Sequence, residues 1–522
     1  MFKYIYILFL IPLFVTCSDS ENIEKVGVPS DFEVKVESST YNNVLISWSE
    51  SFDPENGKIT YSIYLDDTLI ESNLEIREYR RQDLKPLTNY TGRIVAKDID
   101  GNEKESFFDF ITEGNLPPSQ FAIELINTSN VSAFVVWSES IDPEDQEVKY
   151  DIYLDEVLQE ENSNFLNYNF EGLKAATTYN AKIIAYDPDN NTTTLEFQIT
   201  TNDGIYSGDV SLSSQSSVKS FGDEGYVEIT GNFKIEDVTQ VDRIIDLSPL
   251  LSLKIVRGYM DIRFTHELIS LEGLKIETIG KSLRIEDNFK LLNLKGFENL
   301  NEVFGSLEIK QNRELKEINN LNNLSLVGNI LRIYNNLRLE EINGFNSLIS
   351  VQYLLIKANY ELHTIVGFNN LGEVDNDFFI YDNELISLIE GFSALTNIGS
   401  RLYLRNTLVR NIDMFKKLSK VGGDIEIIAN NQLENIQGLS DLIEITYGDL
   451  AIGGNPKLTS LNGLEEFNVI GDDIIIGNNA SLTDFCALRN IVENFSQFGT
   501  LTTVNNPFNP TVADIINGNC KL

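Results

Sequence analysis

From residue 205 onward, apolar and polar positions recur at a fixed step. Leu283-Arg-Ile285-Glu-Asp-Asn288 returns as Leu307-Glu-Ile309-Lys-Gln-Asn312, and each continues to a Leu three residues past the Asn, Leu291 and Leu315. Followed along the chain, the Asn falls at 288, 312, 336, 359, 383, 430, 455 and 479, with Thr407 standing in once, a step of about 24 residues. Upstream, Met260-Asp-Ile262-Arg-Phe-Thr265 fits one step earlier, and Val227-Glu-Ile229-Thr-Gly-Asn232 reads as the coil before that. Downstream, Leu501-Thr-Thr503-Val-Asn-Asn506 reads as a last coil. A short unit held in register over this length predicts a solenoid of about twelve coils. In the coil of Asn336 the apolar positions are Leu331, Ile333, Leu339, Ile342, Phe345, Leu348 and Val351. One coil cannot bury these alone, so neighbours must stack. Gly296, Gly344, Gly367, Gly391, Gly438 and Gly463 are expected at corners where a Cβ would clash or φ is positive. The Asn itself is expected at the strand end, bonding turn backbone in a ladder that Thr265 and Thr407 interrupt.

Strand alternation sorts the letters between the inward Leu and Ile onto the open face. One outward row reads Arg284, Glu308, Arg332, Leu355, Phe379, Tyr403, Glu426, and the next Glu286, Lys310, Tyr334, Lys357, Tyr381, Arg405, Ile428. The middle coils therefore present Tyr334, Phe379, Tyr381 and Tyr403 beside Arg332, Lys357 and Arg405. Aromatics with Arg are what binding surfaces favour. Cross-strand stacking that merely stabilises the sheet explains the same residues, and is the preferred account at this point.

Ahead of the array the pattern changes to short alternating runs, such as Val44-Leu-Ile46-Ser-Trp48 and Ile59-Thr-Tyr61-Ser-Ile63, separated by turn residues. The two tryptophans, Trp48 and Trp137, lie about 90 residues apart, the size of one antiparallel sandwich. Trp48-Ser-Glu-Ser-Phe-Asp-Pro-Glu55 matches Trp137-Ser-Glu-Ser-Ile-Asp-Pro-Glu144 at the same offset that relates Tyr90 to Tyr179, so the unit is duplicated. Each copy carries acids in two loops: Asp53, Glu55, Asp98 and Asp100, then Asp142, Glu144, Asp187 and Asp189. In a sandwich of this topology the two loops share an end, which makes these residues candidate ligands for a structural Ca²⁺. Asp-Pro and Asp-Gly turn chemistry accounts for them more simply and is preferred. No other cofactor is expected.

Composition narrows the functions. The chain has 522 residues, a formal charge of −39 and 42% hydrophobic residues, which suits several folded domains and excludes a nucleic-acid partner. Two His residues, His266 and His363, leave no basis for a His-built metal site or a Ser-His-Asp triad. Lys3 precedes an apolar run from Tyr4 to Val15, too short to span a bilayer but suited to a signal-peptide core. Cys17 ends that run; Cys486 and Cys520 lie near the C-terminus, where a disulfide between them would close a cap over the last coil. Thr511-Val-Ala-Asp-Ile-Ile516 reads as a helix within that cap.

Four resemblances follow. Leu13-Phe-Val-Thr-Cys17 resembles a bacterial lipobox, which implies cleavage before Cys17 and its lipidation. Ser18-Asp-Ser-Glu21 is similar to the surface-export signal of Bacteroidetes lipoproteins. The duplicated unit, with its tryptophans and the runs Leu84-Lys-Pro-Leu-Thr-Asn-Tyr90 and Leu173-Lys-Ala-Ala-Thr-Thr-Tyr179, resembles fibronectin type III domains, which implies a tyrosine corner at Tyr90 and Tyr179. The Asn-x-x-Leu spacing of the array resembles the receptor L domain of insulin and epidermal growth factor receptor ectodomains. That module is shorter and disulfide-rich, so hormone binding does not carry over.

The chain is thus expected to be mainly β: two immunoglobulin-like β-sandwiches followed by a leucine-rich β-helical solenoid. The boundaries are a lipoprotein signal peptide 1–16, a lipidated polar tether 17–26, fibronectin type III domains 27–113 and 117–202, a receptor L domain-like array 205–485 and a cap 486–522. The expected role is that of a non-enzymatic outer-membrane lipoprotein exposed at the cell surface. Its membrane contact is the N-terminal lipid, its sandwiches are spacers, and its solenoid binds a surface protein or glycan. A purely structural scaffold or adhesin spacer is the alternative, and a carbohydrate-active enzyme on a β-helix stands behind both.

Overall fold

The computed structural model describes residues 27–238, 240–493 and 499–522. The signal segment 1–16, Cys17 and the tether 17–26 lie outside the described residues. The chain divides into two compact units. The first comprises Met1–Glu124, Val136–Asn167 and Asn180–Phe197; the second comprises Leu125–Val135, Tyr168–Tyr179 and Gln198–Leu522. The chain is mainly β, with sandwich-like sheets in its N-terminal part and a β-solenoid of about twelve turns in its C-terminal part.

In the first sandwich, strands Val34–Ser39, Val44–Trp48 and Glu78–Arg81 form one antiparallel sheet. Thr68–Leu74, Thr60–Leu65, Asn89–Lys97 and Glu103–Ile111 form the other. Alternation drives the packing: Val44, Ile46 and Trp48 are buried along one strand and Tyr61, Ile63 and Leu65 along another. Trp48 meets Tyr61 edge-on at 5.5 Å between ring centroids. The Tyr90 hydroxyl accepts from the Lys85 backbone N–H at 2.9 Å, and the Tyr179 hydroxyl accepts from that of Lys174 at 2.8 Å. Both copies therefore form the tyrosine corner. The second copy repeats the same strand order, three strands in one sheet and four in the other.

Most solenoid coils contribute a short strand and then a longer one to a single 23-stranded parallel sheet; in two coils the pair merges into one strand, Leu326–Tyr334 and Ser350–Lys357. Leu283, Ile285, Leu307 and Ile309 are fully buried and stack in register with their counterparts in the next coil. Burying a Leu or Ile side chain stabilises by about 1.5–3 kcal/mol, and here that gain exists only between coils. Corners tighten where glycine stands. A Cβ on Gly391 would lie 1.9 Å from the Gly367 carbonyl oxygen, and one on Gly438 would lie 1.8 Å from that of Ile412. Gly296 and Gly463 sit at φ +113° and +114°, whereas in the coils of Gly344, Gly367 and Gly391 the following Phe345, Phe368 and Phe392 take φ of +62° to +65°. Those three rings stack at 4.8 Å spacing inside the core.

The motif Asn forms the expected ladder. Asn336 is fully buried; its backbone N–H donates to Asn359 Oδ1 at 3.1 Å and its Nδ2 donates to the Ile309 carbonyl at 2.9 Å. The same bonds recur from Asn288 to Asn359 and from Asn430 to Asn479. Thr407 keeps the downstream link to Asn430 Oδ1 through both its N–H and its hydroxyl. It has no amide to continue the row upstream, so the ladder breaks after Asn383. The residue before the Asn, Asp287, Gln311 or Asn335 for example, lies at φ +52° to +58°, a left-handed turn not anticipated from the sequence.

The first coil needs correction. Val227-Glu-Ile229-Thr-Gly-Asn232 is not the equivalent of Met260-Asp-Ile262. Phe233 pairs with Met260 and Ile235 with Ile262, so the coil motif is Phe233-Lys-Ile235-Glu-Asp-Val238. Glu228–Ile229 forms instead the short strand ahead of it, pairing with Ile255–Val256. Both stretches alternate, and only the one that follows the Gly231 turn faces the core strand of the next coil. A further strand, Val210–Leu212, stacks before it, and a helix, Gln215–Asp223, follows with a Ser214–Ser217 capping box. At the other end, Leu501–Val504 stacks on Ile474–Gly477, so a coil lies within the segment assigned to the cap. Val512–Ile516 is helical with Thr511 as its N-cap, and Cys486 is disulfide-bonded to Cys520.

Candidate binding face

The outward rows fall in register as strand alternation requires. Glu308 pairs with Arg332, Arg332 with Leu355, Leu355 with Phe379 and Phe379 with Tyr403. In the next row Tyr334 pairs with Lys357, Lys357 with Tyr381 and Tyr381 with Arg405. All seven candidate residues, Arg332, Tyr334, Lys357, Phe379, Tyr381, Tyr403 and Arg405, therefore share one face. Arg405 is exposed and the other six are half-buried.

The face changes character along the stack. In the coils before Arg332 it is a lattice of paired charges. Lys310 lies 3.0 Å from Glu286 and 3.6 Å from Glu308, and Arg332 reaches Glu308 at 2.8 Å. From Lys357 onward it becomes aromatic. Phe379 meets Tyr403 edge-on at 5.7 Å, Tyr381 meets Tyr403 at 5.4 Å, and the Lys357 ammonium sits 4.7 Å above the Tyr381 ring. Arg405 Nη1 donates to the Tyr403 hydroxyl at 3.0 Å. Next in the row, Glu426 is pushed above the ordinary carboxylate range, first by burial and then by Asp424. Beyond it the outward positions are Ala451 and Ile475 in one row and Ile428, Gly453 and Gly477 in the other, with no further aromatic ring or cation among them.

Two neighbours of the patch escape a reading based on alternation alone. Tyr353 meets Phe379 edge-on at 5.5 Å, and Arg401 covers the other side of the Phe379 ring at 4.9 Å. Tyr353 and Arg401 each stand one residue ahead of an inward position, Leu354 and Leu402, where the chain enters the flat part of the coil. That recurring position ahead of the inward Leu is the signal that would have found them. The patch is open surface; a hollow of about 480 Å³ on the same sheet lies instead at the first coils, lined by Ser211, Lys234, Tyr259, Asp261 and Arg284.

The sandwich acids divide by copy. In the first, Asp53 Oδ1 accepts from the Glu55 N–H and Oδ2 from that of Gly57. Asp98 accepts from the Asp100 and Asn102 N–H groups and the Asn102 amide. Burial raises the Asp98 carboxyl, but these bonds outweigh it and leave it below its ordinary value. These are turn caps. In the second copy Asp187 is used the same way, but Asp142 Oδ2 is left buried without a partner. Among the described residues, the one group of three acids whose oxygens come within 4.8 Å of one another is Asp449, Asp472 and Asp473, on the array. Two of these serve the fold: the Asp473 N–H donates to Asp449 Oδ1 at 2.8 Å, and Asp473 Oδ1 caps Thr500 at 2.6 Å.

About a third of the chain is similar to solved structures of fibronectin type III modules. The fibronectin(III)-like modules of CbhA from Clostridium thermocellum align at 16% identity over 32% of this chain and 94% of theirs, with a TM-score of 0.17. The central fibronectin-III array of RIM-binding protein aligns at 15% identity over 34% of this chain and 71% of its own, with a TM-score of 0.14. The FN1–FN3 domains of chicken CNTN1 align at 16% identity over 34% and 67%, with a TM-score of 0.17. No protein-family model matches the chain. No curated protein matches it.

Proposed function

We propose that this chain is a non-catalytic surface-binding protein. Its solenoid face, from Arg332 to Arg405, holds a protein or glycan partner, and the two sandwiches act as spacers. The observation that carries this reading is the change along one sheet face, from charges that neutralise one another around Glu308 to rings and cations clustered around Tyr403. The paired-charge coils and the aromatic coils keep the same strand register, so register alone does not call for the change. The reading extends to a lipid on Cys17 that holds the chain at the outer membrane, exposed on the cell surface. Its sequence support is the lipobox-like segment; among the described residues no helix is long and apolar enough to cross a membrane. The Asn-x-x-Leu spacing supports placing the array beside receptor L domains.

A scaffold reading has its own support. The patch residues already satisfy one another, ring against ring and cation over ring, as a purely structural ladder would. Loss of partner retention on replacing Tyr381 and Arg405 by Ala, with the fold intact, separates binding from scaffold.

A further inference from the structure

The duplication of the sandwich supplies an internal control for its acidic loops. Among the described residues five buried side-chain oxygens lack a hydrogen-bond partner. Three of them, Asn115 Oδ1, Asp142 Oδ2 and Gln146 Oε1, belong to loops of the second copy and the segment that leads into it. Asp189 Oδ2 ties two of these residues together, accepting from Asn115 Nδ2 at 2.8 Å and from Gln146 Nε2 at 3.3 Å. Those two bonds fix which way each amide points, so its oxygen is turned elsewhere. Asp142 Oδ1 accepts from the backbone N–H groups of Glu144 and Gln146, and Glu144 Oε2 accepts from that of Leu116. Asp142 is only 2% exposed.

The charge around these oxygens is uncompensated. Asp142, Glu144, Asp187 and Asp189 all lie in these loops, and among the described residues none forms a salt bridge, although 27 such bridges occur elsewhere. Orphaned buried acceptors cost stability, and so does a cluster of like charges. A hard dication removes both costs together, because it takes carboxylate and amide oxygens as ligands and neutralises the acids. The first copy lacks the arrangement. Gly57 stands at the position of Gln146, its N–H caps Asp53 Oδ2 at 2.7 Å, and a Cβ there would lie 2.2 Å from that oxygen. No side-chain oxygen of Asp53 or Asp98 is orphaned.

We propose that the second sandwich carries a Ca²⁺ site built from Asn115, Asp142, Glu144 and Gln146, with Asp187 and Asp189 behind them, and that its duplicate does not. The site uses none of the residues of the solenoid face, and the proposal is independent of the function proposed for that face. The test is calorimetric titration of the purified, EDTA-stripped full chain with CaCl₂. One saturable site is expected, with a dissociation constant on the order of 10⁻⁴–10⁻³ M, as in extracellular calcium modules. Asp142→Asn, which keeps the oxygen that caps the turn, should weaken it at least about tenfold. Gln146→Gly, which restores the residue of the first copy and so keeps a turn known to close, should do the same. The proposal is overturned if the parent chain shows no saturable uptake. It is equally overturned if uptake survives both substitutions and is lost in Asp472→Asn with Asp473→Asn.

Discussion

Arg401 reaches back one coil to Asp377, Nη2 donating to Oδ2 at 2.8 Å and Nε to Oδ1 at 3.2 Å, while its guanidinium lies over the Phe379 ring. One side chain thus joins two coils and packs on a ring of the aromatic patch.

That pair makes the stability of the array depend on pH in a set direction. Burial pushes the Asp377 carboxyl up, but the bonds from Arg401 and Ser400 outweigh it and hold the carboxyl below its ordinary value. A group depressed in the folded state contributes fully above its unfolded pKa, about 3.9 for Asp, and loses that contribution as pH falls through the folded value. Arg401→Leu is expected to cost about 1–2 kcal/mol at pH 7, discounted because Arg401 is half-exposed. The gap between the denaturant midpoints of parent and variant should narrow as pH falls below about 3.9; a gap that stays constant as the pH is lowered would show that the pair is not the cause.

The Asn ladder should behave as a cooperative row. Asn336→Ala strips an acceptor from the Asn312 N–H and a donor from the Ile309 carbonyl, both buried. The expected loss is about 2–4 kcal/mol, since each orphaned group costs about 1–3 kcal/mol. Thr407→Asn runs the other way. It supplies the missing amide between Asn383 and Asn430 and should stabilise by about 1 kcal/mol. Urea unfolding followed by circular dichroism measures both; a Thr407→Asn chain no more stable than the parent would mean that the break after Asn383 costs nothing.

Corner glycines should differ among themselves although they look alike in sequence. Gly391→Ala would place a Cβ 1.9 Å from the Gly367 backbone oxygen, which cannot move without shifting the preceding coil, whereas Gly344→Ala meets its nearest atom at 3.1 Å. The first is expected to cost more than about 3 kcal/mol and the second about 1 kcal/mol or less. Thermal unfolding of the two variants decides it, and equal melting temperatures would refute the column of close contacts.

What the sequence disclosed follows from what the fold cannot vary. The inward Leu and Ile and the buried Asn recur because stacking removes every alternative, so period, strand and ladder were all readable. The first coil was misread because Val227-Glu-Ile229 and Phe233-Lys-Ile235 both alternate, and only pairing with Met260 and Ile262 tells them apart. Alternation placed Tyr381 and Arg405 on one face but said nothing of Arg401 or Tyr353, which stand just ahead of the alternating stretch. The sandwich acids show the same limit. Asp53 and Asp142 occupy equivalent positions in near-identical motifs, yet one is capped on both oxygens and the other is not.

The most direct test of the central claim is retention of surface proteins and surface glycans by the immobilised full chain, compared with the Tyr381→Ala, Arg405→Ala double variant. Circular dichroism should verify that the double variant keeps its fold. The account predicts a partner held by the parent chain and weakened at least about tenfold in the variant, as for residues at the centre of an interface. A partner retained equally by both chains, or none retained by the parent, would contradict it.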